Sequence, residues 1–493
     1  MLNFKSYNDS NRGGLCLPDL FFARFVRTSL LLCLLLIGCK SVSNKTAKTT
    51  PIPYSVEELE HRTFNYFWEL ADKTNYQIPD RYPTLTFSSI AATGFGLSAY
   101  IVGAEKKYVT REAAADRTLK TLQALWSLQQ GPEVSGVSGF KGFFYHFLTL
   151  DKATRFKDVE LSSIDTGLLM AGILSSMSYF DKENETEKAI RQTADALYRR
   201  VEWDWMMNGQ ETMSMGYHPQ GTPGESPRHG FIPAQWKGYN EAMVLVIMAM
   251  GSPTHPIDST AWSAWCKTYP WSTFQGEENV QFDPLFGHQY SHVWIDFRGI
   301  QDPYMKAKGI DYFENSRRAT LSNRKYCISN PLDAKGYGEW CWGLTACDGP
   351  ASTRMQVDGK QWEFFDYRAR GAASIQVVDD GTIAPTAAGG SYPFAPEVCD
   401  STLSYMWNTY YQDLVGEYGF KDAFNLTYVT DKTPQGWFDV DYLGIDQGPI
   451  LLMIANHQSG IIWNVMKKNP YIVAGLKKAG FAGGWLGKVK NEK

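Results

Sequence analysis

The chain has 493 residues, 44% of them hydrophobic and 20% charged, with a formal net charge of −4. That composition excludes a disordered or low-complexity protein, and the charge balance gives nucleic acid no electrostatic footprint. Aromatic residues reach 14%, with 16 Trp and 27 Tyr; a large aromatic core and platforms for the apolar faces of sugar rings would both use them.

The first readable element is an export signal. Arg24 and Arg27 precede an apolar run over residues 30–37 that ends in Gly38-Cys39. The run is too short to cross a bilayer as a helix. LIGC has the form of a bacterial lipobox, in which Cys39 is lipidated and becomes the mature N-terminus. Residues 1–39 are therefore expected to be a lipoprotein signal peptide, 40–54 a flexible tether and 55–493 one domain. The lipid would hold the chain to a membrane, facing the periplasm in preference to the cell surface, since no acidic cluster follows Cys39; a plain signal peptide or a core strand is the alternative. Cys16, Cys33 and Cys39 belong to this leader. Cys266, Cys327, Cys341, Cys347 and Cys399 are odd in number and irregular in spacing, so they make no disulfide framework. A Cys341–Cys347 bridge and free buried thiols both fit.

Residues 55–72 read as a helix: Val56, Leu59, Phe64, Phe67, Trp68 and Leu70 recur near the helical period, with Ser55 as N-cap. Residues 88–105 and 162–180 are apolar with many small residues and read as buried helices. Residues 110–130 and 184–201 are amphipathic and read as outer ones. Between them 142–151 is aromatic and strand-like. Residues 203–237 and 270–300 are long, irregular and aromatic, with Trp205 and Trp236 among glycines, and such segments inside compact domains are usually functional. Residues 304–321, 403–411 and 448–466 read as helices. Residues 353–367 alternate like two strands about Asp358-Gly359, and 381–396 reads as a Gly/Ala/Pro loop. There is no βαβ alternation, no G-x-G-x-x-G and no P-loop. The pattern is a mainly α chain of paired inner and outer helices, which close into a toroid with long loops at one rim.

Ala242 to Met250 is an unbroken apolar run of nine residues with no charge, a buried helix with Glu241 in its first turn and Tyr239-Asn240 just before it. The helix dipole favours an acid there, so a simple end-of-helix role explains Glu241. An apolar wall would also raise its pKa and make it a proton donor. The same placement recurs. Glu160 and Asp165 flank LSSI ahead of 162–180, and Asp441, Tyr442 and Asp446-Gln447 precede the last apolar helix. Asp379, Asp380 and Glu397 bracket the glycine-rich loop. Each acid alone is explained by capping. Several together with clustered aromatics match glycoside hydrolysis, which needs two carboxyls on opposite sides of a sugar. His288 and His292, four residues apart, could share a helix face and bind zinc, but no H-E-x-x-H or third ligand accompanies them, so they are read as hydrogen-bonding or cleft-lining. No metal or cofactor is expected. Arg298, Arg317 and Arg318 fit structural ion pairs or an acidic sugar group.

Long motifs then carry a resemblance: GYNEAM, GSPTHP, LFGHQYSHVWIDFRG, YFENSRRAT, WGLTACDGP, DDGTIAPTAAGGSYPFAPE and DYLGIDQGPILLMI. In this order, across residues 55–485, they resemble the glycoamylase-like proteins, which include the β-1,2-glucanases of glycoside hydrolase family 144. The resemblance implies an (α/α)6 barrel and inverting, metal-independent hydrolysis of β-1,2-glucan, endo or disaccharide-releasing. It implies Glu241 as acid and Asp446 as base, with Glu160 and Asp165 near the scissile sugar. Trp205, Tyr239, His288, His292, Glu397, Tyr442 and Gln447 are the further candidates for substrate contact. One position departs: Ala455 stands where the family carries a Glu before Asn456, which removes a carboxylate. A glycan-binding lipoprotein with weak or no hydrolysis is the rival reading, and a hydrolase for another glycan a third. The expected partner is an oligo- or polysaccharide, and the expected state a monomer.

Overall fold

The computed structural model describes residues 50–224 and 228–488. The expected signal peptide, Cys39 and most of the tether lie outside the described residues. Among the described residues, twelve helices alternate between an outer and an inner ring. They are α1 (Val56–Glu69), α2 (Ile90–Glu105), α3 (Arg111–Ser127), α4 (Ser163–Tyr179), α5 (Glu185–Arg199) and α6 (Met243–Gly251), then α7 (Thr260–Cys266), α8 (Tyr290–Trp294), α9 (Tyr312–Ser329), α10 (Pro385–Gly389), α11 (Pro396–Leu414) and α12 (Gly444–Ser459). Even-numbered helices are inner and odd-numbered ones outer. Two further helices, Ile461–Met466 and Pro470–Lys478, complete the wall, the second lying on α6.

The sequence dictates which ring each helix joins. α2 is buried from Ile90 to Gly103, and α6 along its whole length, because neither offers a polar face to water. α5 buries only Glu187, Ile190, Ala194, Leu197 and Tyr198 and turns its charges outward. Ser55, Ser89, Thr110, Ser162 and Asn184 each accept a hydrogen bond from a backbone N–H three residues on, which starts α1 to α5 where the sequence puts them. α2 and α4 touch backbone to backbone. A Cβ on Gly94 would strike Leu168, and one on Gly172 would strike Gly94, so glycine is what permits that contact. The inner ring closes through α12 packing on α2, Val244 N–H on the Ser291 hydroxyl, and Gln289 on Ala387 O. This is the (α/α)6 toroid that the resemblance implies.

Short strands sit where chain enters the inner helices. Ser88–Ser89, Leu161–Ser162, Thr382–Ile383 and Tyr442–Leu443 lead into α2, α4, α10 and α12, and pair with Phe147–Leu148, Gly216–His218, Phe424–Asn425 and Arg81–Tyr82. All N-terminal ends of the inner helices therefore gather at one mouth, framed by pinned loops. The expected strands about Asp358-Gly359 are a hairpin, Thr353–Val357 with Lys360–Phe364. Two expectations fail. The 381–396 loop contains α10, and irregular 270–300 contains α8 and a hairpin, Trp271–Phe274 with Glu277–Val280. Helices of five residues are little more than one turn and leave no period to read. Cys341 and Cys347 are both free buried thiols, as are Cys266, Cys327 and Cys399. No helix among the described residues is long and apolar enough to cross a membrane.

Candidate active site

Glu241 lies just ahead of α6, not in its first turn: the helix begins at Met243, and Asn240 accepts from Ala242 N–H. The Glu241 carbonyl accepts from Ser291, which ties this turn to α8. The residue is 9% exposed, and its buried Oε2 has no hydrogen-bond partner. It is therefore not a capping acid. Burial, with the negative charge of Asp165 adding to it, pushes its pKa from the usual 4.5 to about 7.

Asp165 stands in the first turn of α4, where Ser162 donates to it. Its other oxygen faces His146 Nε2 at 3.5 Å, while His146 Nδ1 lies 2.9 Å from Glu160 Oε1. Burial works against charge on all three groups. On Glu160 the adjacent imidazole outweighs it and holds the carboxyl down at about 2. On His146 the two carboxylates outweigh it and raise the imidazole to about 9. Asp165 is raised by burial despite His146.

The opposite side is built on Asp446, in the first turn of α12 and 3% exposed. Its carboxyl is hydrogen-bonded to that of Asp422, which lies between the Gly419–Phe420 and Phe424–Asn425 strands. Burial, with Asp348 and Asp80 adding to it, pushes Asp446 to about 7. Asp422 goes well above the usual carboxylate range through burial and its neighbours Asp446 and Asp348. Both carboxyls are raised, Asp422 further than Asp446, so Asp446 is the one of the pair that gives up its proton first. Gln447 Nε2 donates to Phe420 O at 2.8 Å and so fixes the segment that carries Asp422. Asp348 N–H donates to Asp422 at 2.7 Å, and Arg81 bridges Asp348 and Asp80 at 2.6 and 3.1 Å. Burial and the carboxylates of Asp348 and Asp422 raise Asp439 to about 9. Asp348, Asp422 and Asp439 form the one group among the described residues whose ligand-type atoms converge as a metal site would need, within 4.8 Å. Arg81 already supplies positive charge at Asp348. Tyr290, on α8, is close enough to Glu241 and to Asp446 to feel both charges.

The structure thus brings Glu160, Asp165 and Glu241 together, and sets Asp446 with Gln447 behind it. The other candidates stand elsewhere. Tyr239 is fully buried behind Glu241, its ring against Tyr312, Tyr269 and His288. His288 and His292 are core histidines. They bond Phe282 O and the Ser316 hydroxyl at 3.2 and 3.0 Å, and burial lowers them to about 4 and about 3. Trp205 packs into Phe140, Phe143, Tyr217 and Phe231. Tyr442 points at Gly416 and Tyr418. Glu397 is exposed in the first turn of outer helix α11, and outer helices run opposite to inner ones, so it lies at the rim away from the acids. The expectation that Glu397 and His292 line the cleft is corrected on these grounds. Asp380 forms a buried ion pair with Arg370, and Asp379 accepts from Tyr326 and Tyr337, so both are structural. Arg298, Arg317 and Arg318 pair with Asp296 and Glu314. Sequence reasoning missed His146 and Asp422. Neither lies beside an inner-helix start in sequence, and only strand pairing carries them to the mouth.

Fold and site together define a class: an (α/α)6 toroid with two separate buried carboxyl centres at one mouth. A family model described as "Putative glucoamylase" matches residues 233–470. A Bacteroides uniformis protein of the same description, solved by crystallography, is 33% identical, with a TM-score of 0.74 over 88% of this chain and 99% of that one. An endo-β-1,2-glucanase from Chitinophaga pinensis, solved with sophorotriose and glucose, is 28% identical, with a TM-score of 0.71 over 88% of this chain and 100% of that one. The exo-β-1,2-glucooligosaccharide sophorohydrolase (non-reducing end) of Parabacteroides distasonis is 28% identical over 478 residues, 89% of this chain. The chain spans 60% of the length of that curated relative. The chain belongs to the glycoamylase-like family.

Proposed function

We propose that this protein is an inverting glycoside hydrolase of β-1,2-linked glucan, with Glu241 as general acid and Asp446 as general base. The observation that carries this reading is the pair of buried carboxyls at the mouth, Glu241 with an unpaired oxygen and Asp446 against the carboxyl of Asp422. The activities named for the Chitinophaga pinensis and Parabacteroides distasonis relatives support the linkage.

The chemistry follows from the two environments. Burial outweighs the one backbone hydrogen bond that favours its charge and raises Glu241 to about 7, so it holds its proton up to neutral pH. It gives that proton to the glycosidic oxygen, directly or through a sugar hydroxyl, as the bond to the anomeric carbon breaks. Water attacks the opposite face of that carbon, and Asp446 takes the water's proton. The anomeric configuration inverts. Asp422, keeping its own proton, donates to Asp446 and holds the carboxylate in place. No step uses a metal.

The test is hydrolysis of β-1,2-glucan by the purified protein beside α-1,4 and β-1,4 controls, with products resolved by length and anomer. Release of the α-anomer from β-1,2-glucan alone supports the reading. Binding without products would favour a glycan-binding protein. Disaccharide as the sole early product would mean exo action, and a ladder of lengths endo action. The departure at Ala455 does not weaken the catalytic pair: Ala455 is fully buried on α12, nine residues and ~13.5 Å of helix below Asp446.

Export as a lipoprotein anchored through Cys39 is the accompanying proposal, supported by the Arg24–Cys39 pattern. Metabolic labelling with a lipid precursor checks it; Cys39→Ser should abolish the label.

A further inference from the structure

We propose that His146 is a positioning residue on the acid side of the cleft: an imidazolium clamped between Glu160 and Asp165 that keeps both carboxylates ionised and fixed as acceptors for sugar hydroxyls. The clamp itself stands on geometry alone; its role toward sugar rests on the hydrolase reading above.

Both ring nitrogens of His146 face carboxylate oxygens, Nδ1 towards Glu160 and Nε2 towards Asp165. A neutral imidazole has one donor and one acceptor nitrogen, so one nitrogen would point a lone pair at a carboxylate oxygen. An imidazolium donates on both sides and satisfies both. The backbone sets this up: His146 N–H donates to Glu160 O at 3.0 Å, and Tyr145 bridges to Leu161, so the two residues are held side by side across the rim. The His146 ring lies on Phe147, centroids 4.1 Å apart, which fixes its plane. Asp165 is held from its other side by Ser162. Its side chain is almost closed off, at 5% exposure, whereas that of Glu160 is 22% exposed.

The charged neighbours are consistent with this state. Glu160 and Asp165 face the ring directly, and Asp80 adds a third negative charge from the Arg81–Tyr82 side. His218, near Glu160, is lowered by its own burial and by Arg155, and is neutral at pH 7. The clamp therefore carries two negative charges and one positive. Its surplus negative charge faces Glu241, through Asp165, and favours the protonated acid. The ionised carboxylates accept hydrogen bonds and donate none, which suits a neutral polyol rather than an anionic sugar.

Two measurements test this. Histidine-selective carbon and nitrogen NMR on the whole protein, with the signal assigned by its loss in His146→Gln, should show His146 doubly protonated at pH 7 and titrating near 9. In Glu160→Gln the same signal should titrate lower, since one of its two charged partners is gone. A His146 that titrates at or below 6.5 in the wild type overturns the clamp, whatever the enzyme hydrolyses. On β-1,2-glucan, His146→Gln should raise KM at least tenfold and lower kcat less, and wild-type KM should itself rise as pH passes 9. Unchanged KM in a folded His146→Gln overturns the positioning role. If His146→Gln does not fold, the Glu160→Gln titration and the wild-type KM profile decide. If the wild type hydrolyses no glucan, the hydrolase reading fails and the NMR result still judges the clamp.

Discussion

The two sides of the mouth are made from the same material and handled in opposite ways. On each side a carboxyl sits at the start of an inner helix, nearly closed off from water, with a pKa near 7. Around Glu241 the fold removes partners. Its own oxygen is unpaired, and the nearby carboxylates of Asp165 and Glu160 are compensated by His146. Around Asp446 the fold adds carboxyls: Asp422, Asp348, Asp439 and Asp80, with Arg81 among them. Crowded acids cannot all ionise, so they share protons, and the best-placed one is left charged. One environment makes an acid and the other a base from the same functional group.

The largest effects should come from breaking each side at its centre. Glu241→Gln and Asp446→Asn should each lower kcat on β-1,2-glucan by about 10²–10⁴, the range for losing a positioned acid or base. Initial rates on purified, folded variants check this, and a loss on one side only would break the symmetry claimed here. The pH profile of kcat/KM should be a bell near pH 7. Its alkaline limb is deprotonation of Glu241, and its acidic limb protonation of Asp446. Asp422→Asn should cost about tenfold or more and move the acidic limb to higher pH, because the amide is a weaker donor to the Asp446 carboxylate than the acid it replaces.

Stability offers a smaller and opposite signal. The folded-state pKa of Glu241 is raised to about 7 from 4.5. Ionisation therefore favours the unfolded chain, with no penalty below pH 4.5 and the full penalty above 7. At about 1.4 kcal/mol per pH unit, Glu241→Gln should stabilise the protein by up to about 3 kcal/mol at pH 8, and by nothing at pH 4. Denaturant melts at the two pH values measure this. Glu397→Gln should change rate and stability least, by less than twofold and about 0.5 kcal/mol, because it is exposed at the opposite rim. A large rate loss there would undo the placement of the mouth.

Much of the molecule was written locally. α1 to α6 start within a residue or two of the expected positions, since N-caps and apolar periods act over a few neighbours. Glu241 and Asp446 were legible for the same reason: both stand beside long apolar runs. Local sequence could not separate them from Glu397, which edges a glycine-rich loop of the kind that lines clefts. Only the alternation of direction round the ring sends Glu397 to the far side. His288 and His292 carried the aromatic, glycine-rich context of a cleft, yet their side chains turn into the core towards Phe282 and Ser316.

The sequence by itself determined α1 to α6, the inner or outer place of α2 to α6, and the acids that stand beside α4, α6 and α12, because these depend on contacts a few residues apart. The tertiary structure alone decided the chemistry of those acids. Glu160 meets His146 and Asp446 meets Asp422 across gaps in sequence that no period or motif spans. The charge each carboxyl carries is set by what lies within a few ångströms of it in space.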